Sequence, residues 1–531
     1  MSTVTDATRQ IQSDGSSQVR WILTAGVTLA AIGEACASSA LLLGRVDLIG
    51  DLHTSPDEFA WLDMSFIMAK LFAFYLAPWL TARFPIQRCV QVSVAGIAFL
   101  CSVAMLTTNL ESQIVLRTLE GLCGGVLLVG GQAMLFRAYP RKTMVIPQGF
   151  FAFGAVLMPA TLLPSVQGWL TDRLSWTWIF ASAAFLSGIA LVLLSQIEFT
   201  SPRNEERPVS FHWIGATSYL LFVTALTYAL SRGQRWNWFD EPRVMWASII
   251  GGVALVVFLI EHATARRAER FIKPGVFQTD GFIFGACLAL VAGIVLFGSA
   301  EIIVGFAVEV LHFTPTAAGL LLLPSGLMFL CSLSLTAYLI QKRGIDPSLI
   351  IPVGLILFMT AMWMLSRSNA QSGLPDLMPA LLLRGAALGF LFLSLTIIAL
   401  GKMRGRLLAT GVAIFDTSRQ LGGLVGVAGL MTHIEHRATL AANVLAAHLT
   451  PATPQVSLFL SSASQHMVDR GLDPGSSTRI AAATFGELVK TQAMTIGFDA
   501  AFLSLLLFVA CVMPCAIVIE IVLAKREHSS T

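Results

Sequence analysis

QIVLRTLEGLCGGVLLVGGQAML, from Gln113 to Leu135, is the segment from which we predict the fold. It is apolar and long enough to cross a bilayer as a helix, yet it carries Arg117 in its first third. A charge at that depth is costly, and it almost always faces a partner or a water-filled cavity rather than lipid. Gly121 and Gly125 follow at a spacing that puts both on one helix face and lets a neighbouring helix approach closely.

The same arrangement returns much later in the chain, where Arg384, Gly385 and Gly389 lie in LLLRGAALGFLFLSLTIIAL. The two helices, each with an arginine beside a glycine face, are placed roughly symmetrically in the sequence. Such internal duplication indicates a transporter with its site between two halves.

The composition is that of a membrane protein. Of the 531 residues, 55% are hydrophobic and only 12% are charged, whereas a soluble domain carries about a quarter of charged residues. The net charge of +3 is too small to indicate a nucleic-acid partner. The eight cysteines lie within or beside apolar runs, with no CxxC pair and no Cys/His ligand spacing, so we predict no disulfide, metal site or cofactor.

Hydrophobic runs of about 20 residues predict an all-α polytopic protein with 14 transmembrane helices. Lys and Arg concentrate in the loops on the side of the two chain ends, which predicts that both termini are cytoplasmic. The predicted spans are approximately 21–43, 59–80, 89–108, 113–135, 144–166, 176–196, 213–231, 245–262, 281–307, 315–340, 348–366, 377–400, 409–431 and 495–523.

The spacing of these runs predicts a twelve-span core with an inserted pair. A charged, proline-bearing segment at 197–212 follows the first six spans. A basic cluster at 261–280 is typical of a segment that orients the protein in the membrane by lying near anionic lipid headgroups. A loop of about 60 residues at 432–494 is long for a compact protein, and Ser477–Met494 within it has the spacing of an amphipathic helix. The predicted domains are a cytoplasmic tail at 1–20, a six-helix bundle at 21–196, a linker with two spans at 197–280, and a second six-helix bundle at 281–531 that includes the outer loop.

The charges inside the membrane are the residues most informative about chemistry. The chain has no GxxxxGK[ST] phosphate loop, nucleophile elbow, HExxH or GxGxxG after a strand, so uphill transport must draw on an ion gradient or a partner. A carboxylate in a partly dehydrated cavity can take up a proton from one side of the membrane and release it to the other. The acidic candidates are Glu34, Asp63, Glu120, Glu301 and Asp416.

Each carboxylate also has a purely structural interpretation. Glu120 lies three residues after Arg117 on one helix, so the two can form a local ion pair, and Asp416 and Arg419 share that spacing. Asp63 can lie at the outer water boundary. Glu34 has apolar and small neighbours and no local basic partner, which makes it the strongest candidate.

The fifth span is interrupted by residues that bend membrane helices. Gly154, Pro159 and Pro164 are expected to kink it at a moving interface. Phe153 can line an aromatic cavity or face lipid.

The chain resembles the fourteen-span drug:proton antiporter branch of the major facilitator superfamily, the EmrB/QacA type. The likeness covers nearly the whole chain. It rests on RTLEGLCGG (Arg117–Gly125), GWLTDRLSWTWIF (Gly168–Phe180), AAGLLLLPSG (Ala317–Gly326), SRQLGGLVGVA (Ser418–Ala428) and TQAMTIGFDAAF (Thr491–Phe502).

The resemblance implies proton-coupled efflux of small amphipathic organic compounds across a bacterial inner membrane. It implies two bundles that rock around a central cavity, an arginine at 117 in proton transfer, and a periplasmic adaptor with an outer-membrane channel as partners. We predict three groups of site residues: proton-coupling Glu34, Arg117, Asp63, Asp416 and Arg419; substrate-cavity Glu120, Gly121, Phe153, Glu301 and Arg384; and a conformational motif of Gly154, Pro159, Pro164 and Gly168.

The sequence departs from the family pattern at a few positions. The loop LTARFPIQR (Leu80–Arg88) lacks the usual Gly and Asp, Leu163 and Gln167 stand where glycines are expected, and Ala37 lies near the place of an aspartate. Two alternatives therefore stay open. One is a dedicated exporter of one metabolite, fatty acid or siderophore with altered coupling, and the other is a non-transporting sensor or membrane enzyme on the same scaffold.

Overall fold

A computed structural model describes the backbone of the chain except residues 1, 42–44, 198–210, 265–273, 278–280, 404, 451–452 and 530–531. The described part is almost entirely helical. Its α-helices are α1 (Ser2–Ser38), α2 (Arg45–Asp51), α3 (Pro56–Arg83), α4 (Ile86–Ala104), α5 (Leu110–Ala138), α6 (Val145–Ala152), α7 (Leu163–Arg173), α8 (Thr177–Ser195), α9 (Trp213–Gly233), α10 (Pro242–Thr264), α11 (Phe282–Gly293), α12 (Ser299–Glu309), α13 (Pro315–Arg343), α14 (Ile351–Leu365), α15 (Leu374–Leu400), α16 (Gly405–His448), α17 (Pro454–Val468) and α18 (Pro474–Ser529).

Two of the long helices contain π-helical turns, and short 3₁₀ turns join others. The π-helical segments are Phe153–Leu162, between α6 and α7, and Ile294–Gly298, between α11 and α12. The 3₁₀ turns are Trp238–Asp240, Pro274–Val276 and Pro347–Leu349.

The prediction of an all-α polytopic membrane protein is confirmed. In the described part of the chain, 13 helices are long and apolar enough to cross a membrane. The remaining predicted span, 409–431, lies within α16. Asp416, Thr417, Ser418, Arg419 and Gln420 make this helix more polar than its neighbours, although it packs against α11 and α18 inside the bundle.

The two halves are built on the same helix contact. The glycine faces of α5 and α15 lie against α3 and α13, and a Cβ on Gly121 or Gly385 would collide with the carbonyl oxygen of Phe66 or Ser325. Because small residues let the two backbones touch, each arginine-bearing helix is held deep inside its own half.

Successive spans run in opposite directions, so the bundle has two faces. We call the face at which α1 enters the membrane the N-terminal face and the other the distal face. The hydroxyl of Tyr139, just after α5, donates to the Arg20 carbonyl over 2.9 Å at the N-terminal face, and the Trp176 Nε1 donates to Asp51 over 2.7 Å at the distal face.

The inserted helices α9 and α10 pack on each other and contact the core through α3. Near the distal face, the Arg232 Nη1 lies 2.6 Å from the Asp57 Oδ1 in the first turn of α3. Deeper in the membrane the rings of Tyr75 and Tyr219 stack with centroids 4.6 Å apart. The basic cluster predicted after α10 and most of the linker before α9 lie outside the described residues.

The segment 432–494, predicted as a loop with one short helix, is a helical hairpin through almost all of its described length. α16 continues to His448, α17 follows, and the helix predicted at 477–494 is the first part of α18. Alanine-rich runs such as RATLAANVLAAH favour helix over loop. An α16 of 44 residues is about 66 Å long, roughly twice the 30 Å of a hydrocarbon core, so it projects beyond the membrane at the distal face.

Candidate functional site

The strongest predicted candidate, Glu34, has a cationic partner on a different helix. Its Oε1 lies 2.6 Å from the Nζ of Lys70 in α3, and both side chains are buried. The sequence reasoning identified no local base for Glu34 and did not include Lys70 in the site, because the two residues are 36 positions apart. A lysine within an apolar span is unusual, and this feature of the sequence could have identified Lys70 as a site residue.

The glycines of α5 make room for the Glu34 carboxylate. A Cβ built on Gly124 would lie 3.0 Å from the Glu34 Oε1 and from its Cγ. The carboxylate therefore lies against bare backbone, and the GLCGG run within Gln113–Leu135 brings α1 and α5 together around a charge.

Arg117 forms the local pair that the sequence allowed, and it also connects two helices. Its Nη1 lies 2.9 Å from the Glu120 Oε2 and donates to the carbonyl of Ala37, in α1, over 2.7 Å. The guanidinium carbon lies 4.2 Å from the centroid of the Phe66 ring. The Cys101 thiol donates to the other oxygen of Glu120 over 3.4 Å.

The guanidinium of Arg117 is only partly satisfied. It is 1% exposed, yet its Nε and Nη2 have no hydrogen-bond acceptor within the described part of the chain. Buried donors in native proteins nearly always find a partner, which points to water or substrate at these two atoms.

Asp416 and Arg419 form a corresponding pair in the second half. The Arg419 Nη2 lies 3.0 Å from the Asp416 Oδ1, and both residues are buried. The contact is ionic, since neither oxygen of Asp416 accepts a well-aligned hydrogen bond from the described residues. Helix α16, which carries this pair, packs against α3, which carries Lys70. Buried charges of both halves therefore lie on two helices that contact each other.

Arg384 differs from Lys70, Arg117 and Arg419, the other cations buried in the two halves. It is fully buried, donates from Nε to the Ser299 hydroxyl over 2.8 Å and from Nη1 to the Ser325 hydroxyl over 3.2 Å. Its Nη2 donates over 3.4 Å to the carbonyl of Leu296, in the second π-helical segment. No carboxylate of the described residues lies within ion-pair distance of it, so its charge is solvated by neutral dipoles alone.

We call Glu34, Lys70, Arg117, Glu120, Asp416 and Arg419 the charge cluster. The other predicted cavity and proton-coupling residues have different surroundings. Gly121 lies in the contact with α3 rather than beside a void, since Phe66 and Ala69 occupy the space next to it. Phe153 and Glu301 are half-buried, and Asp63 is exposed on α3 two turns before Lys70.

The predicted conformational motif surrounds the first π-helical segment. Gly154 and Pro159 lie within it, Pro164 lies in the first turn of α7, and Gly168 is buried one turn further on. A Cβ on Gly154 would lie 2.7 Å from the Thr28 carbonyl oxygen of α1, so the segment packs closely on the helix that carries Glu34. The second π-helical segment, which the sequence reasoning did not foresee, lies in the first span of the other half and packs on α16.

The unexpected glutamine of this motif has a structural role. The Gln167 Nε2 donates to the Cys36 carbonyl over 3.1 Å and to the Ser39 hydroxyl over 2.9 Å. It therefore connects α7 to the end of α1, a contact that a glycine cannot make.

The two halves touch at both faces. At the distal face the Ser165 hydroxyl donates to the Gly319 carbonyl over 2.8 Å, and Asp172 accepts hydrogen bonds from Thr316. At the N-terminal face the Ile146 amide donates to the Gln341 Oε1 over 3.0 Å, and Arg141 donates to the Lys402 carbonyl over 3.2 Å. The charged residues are thus buried between two faces at which the halves contact each other.

Comparison with known proteins agrees with this architecture. A model of the Major Facilitator Superfamily matches residues 22–427. The chain is 25% identical to the multidrug export protein EmrB of Haemophilus influenzae over 82% of this chain and 84% of that protein. It is 24% identical to the fatty acid resistance protein FarB of Neisseria gonorrhoeae over 86% of this chain and 87% of that one. The solved structure of the proton:xylose symporter XylE superposes with a TM-score of 0.53 at 13% identity, over 92% of this chain and 99% of that one, and it shares the fold.

Proposed function

Because this chain belongs to the major facilitator superfamily, a family of multi-pass membrane transporters, we propose that it exports small amphipathic organic compounds across the bacterial inner membrane by proton-coupled alternating access. One observation carries the proposal above the others. The buried Glu34–Lys70 pair belongs to the first half and the buried Asp416–Arg419 pair to the second half, and the helices α3 and α16 that carry Lys70 and Asp416 pack against each other.

Protonation of Glu34 would change the attraction between the halves. With Glu34 ionised, the Lys70 charge is compensated within the first half. With Glu34 protonated, the Lys70 charge loses this compensation, and Asp416 on the adjacent helix α16 would be a carboxylate for it to attract. Proton uptake thus strengthens the attraction between α3 and α16, and a charge interaction in a low-dielectric interior is strong enough to bias a two-state bundle.

Arg117 would supply the water path to this pair. Its two unsatisfied donors lie beside the end of α1, where Ala37 already accepts from the same guanidinium. Water held there would connect Glu120 and the end of α1 to the outside when the bundle opens.

The proposed orientation rests on the positive charge of the loops, and the proposed partners rest on the length of α16 and α18. The positive residues of the loops favour cytoplasmic termini, which makes the distal face periplasmic. The projecting ends of α16 and α18, joined by α17, then offer the periplasmic surface at which an adaptor with an outer-membrane channel would dock.

The test is substrate-dependent proton flux in proteoliposomes that carry a pH-sensitive dye. Decyltrimethylammonium and decanesulfonate, two ten-carbon amphiphiles of opposite permanent charge, serve as probes. We expect Glu34→Gln and Arg117→Ala to abolish the flux, while Glu487→Gln, which removes an exposed carboxylate outside the cluster, leaves it unchanged. Wild-type flux in both cluster variants would contradict the assignment of the proton site.

A second candidate, a dedicated exporter of an anionic amphiphile such as a fatty acid, is favoured by Arg384. Lys70, Arg117 and Arg419 each have a carboxylate partner, whereas Arg384 has neutral ones among the described residues. A buried charge without a counter-ion is costly, and an anionic headgroup would compensate it.

The same two probes separate the candidates. A dedicated exporter of anions transports decanesulfonate and not decyltrimethylammonium, and loses that transport in Arg384→Gln but keeps part of it in Arg384→Lys. Equal transport of both probes, unaffected by the charge at position 384, favours the multidrug-type exporter.

A further inference from the structure

A cavity of about 160 Å³ lies at the side of the bundle, away from the contacts of Arg117 and Arg384. It is bounded by the first half through α3, by the second half through α16 and by the inserted pair through α9. Its lining consists of Phe74, Tyr75, Pro78, Tyr219, Phe277, Thr410, Ala413, Ile414, Thr417 and Ser418. No charged side chain is among these residues. The cavity lies toward the N-terminal face, since it uses the last third of α3 and the first third of α16.

Aromatic rings form the wall between the core and the inserted pair. The rings of Tyr75 and Tyr219 stack at 4.6 Å with an angle of 27° between their planes. Phe258 of α10 packs edge-on against Tyr75 at 5.6 Å and lies 5.2 Å from Tyr219. Because α10 supports both tyrosines, the wall is part of the packed structure.

The inserted pair is attached to both halves around this cavity. Helix α9, which carries Tyr219, contacts α16, which carries Thr417, and near the distal face the Trp238 Nε1 donates to the Thr432 hydroxyl over 3.1 Å. Arg232 holds the same helix to α3 through Asp57. A twelve-span core would lack α9, and the cavity would then be open along the side that α9 covers.

The size and lining of the cavity select its ligand. An engineered protein cavity of about 150 Å³ lined by Leu, Ile and Phe binds benzene, so 160 Å³ holds one aromatic ring. Aromatic walls favour a ring in offset-stacked or edge-on geometry, whereas an extended acyl chain needs a groove many carbons long. We propose that this cavity is a lateral binding site for the aromatic ring of an amphipathic substrate, completed by the inserted helix α9.

Position links this site to the charge cluster. Thr417 and Ser418, which line the cavity, lie between Asp416 and Arg419 in the chain. A ring bound here contacts the helical turn that carries the ion pair, at the junction of three bodies that must move during transport. As a step in export, the site rests on the proposed function, but ring binding can be measured without transport.

Photo-labelling of the full chain in nanodiscs with 4-azidobenzyl alcohol tests the binding. We expect crosslinks, mapped by mass spectrometry, in the segments around Tyr219 and 410–418, and we expect toluene to compete for them. Ala413→Phe fills the cavity and should remove these crosslinks, while Val425→Phe, on the exposed side of the same helix, should leave them in place. If Ala413→Phe does not fold, Ala413→Leu fills part of the same space.

Absence of competed crosslinks in the wild type would overturn the proposal. Crosslinks that persist in Ala413→Phe would also overturn it. So would a lipid that native mass spectrometry finds bound to the wild type but not to Ala413→Phe, because the cavity would then be a lipid site.

Transport provides the second readout. Benzyldimethyldecylammonium and decyltrimethylammonium differ by one aromatic ring. Ala413→Phe should raise the KM for benzyldimethyldecylammonium to that for decyltrimethylammonium and should not change the KM for decyltrimethylammonium. If wild type transports neither compound but is labelled at the cavity, the proposed function fails and the ring site stands.

Discussion

Glu34 of α1 and Lys70 of α3 form a buried ion pair in which Oε1 and Nζ are 2.6 Å apart. The pair joins two helices of the first half, and α3, which carries Lys70, packs against α16, which carries Asp416. Both residues are polar groups removed from water, so each depends on the other for compensation of its charge.

Lys70→Met should destabilise the protein more than the double variant Glu34→Gln/Lys70→Met. The single change leaves a buried carboxylate unpaired at a cost of about 3–5 kcal/mol, whereas the double change removes both charges. Thermal unfolding of the purified protein in detergent measures the difference, and the double variant should fold but show no substrate-dependent proton flux. Additive losses of stability would contradict coupling between the two residues.

Gly124→Ala should impair proton coupling through Glu34. The added methyl group would lie 3.0 Å from the carboxylate and force it away from Lys70, with an overpacking cost of about 1–3 kcal/mol. Gly188→Ala in α8 is the matched control, because no heavy atom lies within 4 Å of the position of its added carbon. Proton flux in proteoliposomes checks the prediction, which is wrong if both variants behave as wild type.

Asp172→Ala should favour opening at the distal face. Asp172 accepts hydrogen bonds from the Thr316 amide and hydroxyl of the other half, and the loss of a bond worth about 1 kcal/mol shifts a two-state equilibrium about fivefold. The alkylation rate of a cysteine placed at Ser165, in a background without native cysteines, reports the opening. Glu111→Ala, an exposed change at the same face, should not change the alkylation rate. Equal rates in Asp172→Ala and Glu111→Ala would show that the Asp172–Thr316 contact does not close this face.

Replacement of Pro454–Val468 by a short Gly/Ser linker should separate transport from adaptor docking. α17 contacts α18 through Phe459 and Phe485, whose ring centroids are 5.6 Å apart, and it is exposed over most of its length. We expect proton flux in proteoliposomes to be retained and resistance of intact cells to be lost. The single variant Phe459→Ala, which keeps α17 but removes its ring contact with α18, is the control for local unfolding. Full resistance of cells that carry the linker variant would count against a docking role for α17.

Several features of the site could be predicted because they depend on spacing within one helix. Arg117 and Glu120, like Asp416 and Arg419, are three residues apart, and helix geometry alone brings such residues together. The glycine faces at Gly121 and Gly385 could be predicted for the same reason, because a four-residue spacing fixes a helix face.

Other features depend on how helices pack, and sequence reasoning missed them. The pairing of Glu34 with Lys70 joins residues 36 positions apart. The second π-helical segment, Ile294–Gly298, contains no proline from which a distorted helix could be predicted. For the segment 432–494 the sequence predicts a long outer loop with one helix at Ser477–Met494. That helix is present in α18, but the rest of the described segment is helical as well, because its alanines favour helix and α17 packs against α18.

The all-helical membrane transporter with charged groups inside the bilayer could be read from hydropathy, glycine spacing and internal duplication, all of which are properties of the linear chain. The pairing of Glu34 with Lys70, the absence of a carboxylate partner for Arg384 among the described residues, and the cavity that α9 bounds between the two halves required the folded bundle. The physical reason is that in a bilayer every helix is apolar, so hydrophobicity does not select its neighbours. Close packing of small residues and the pairing of buried polar groups make that choice, and both depend on the whole bundle.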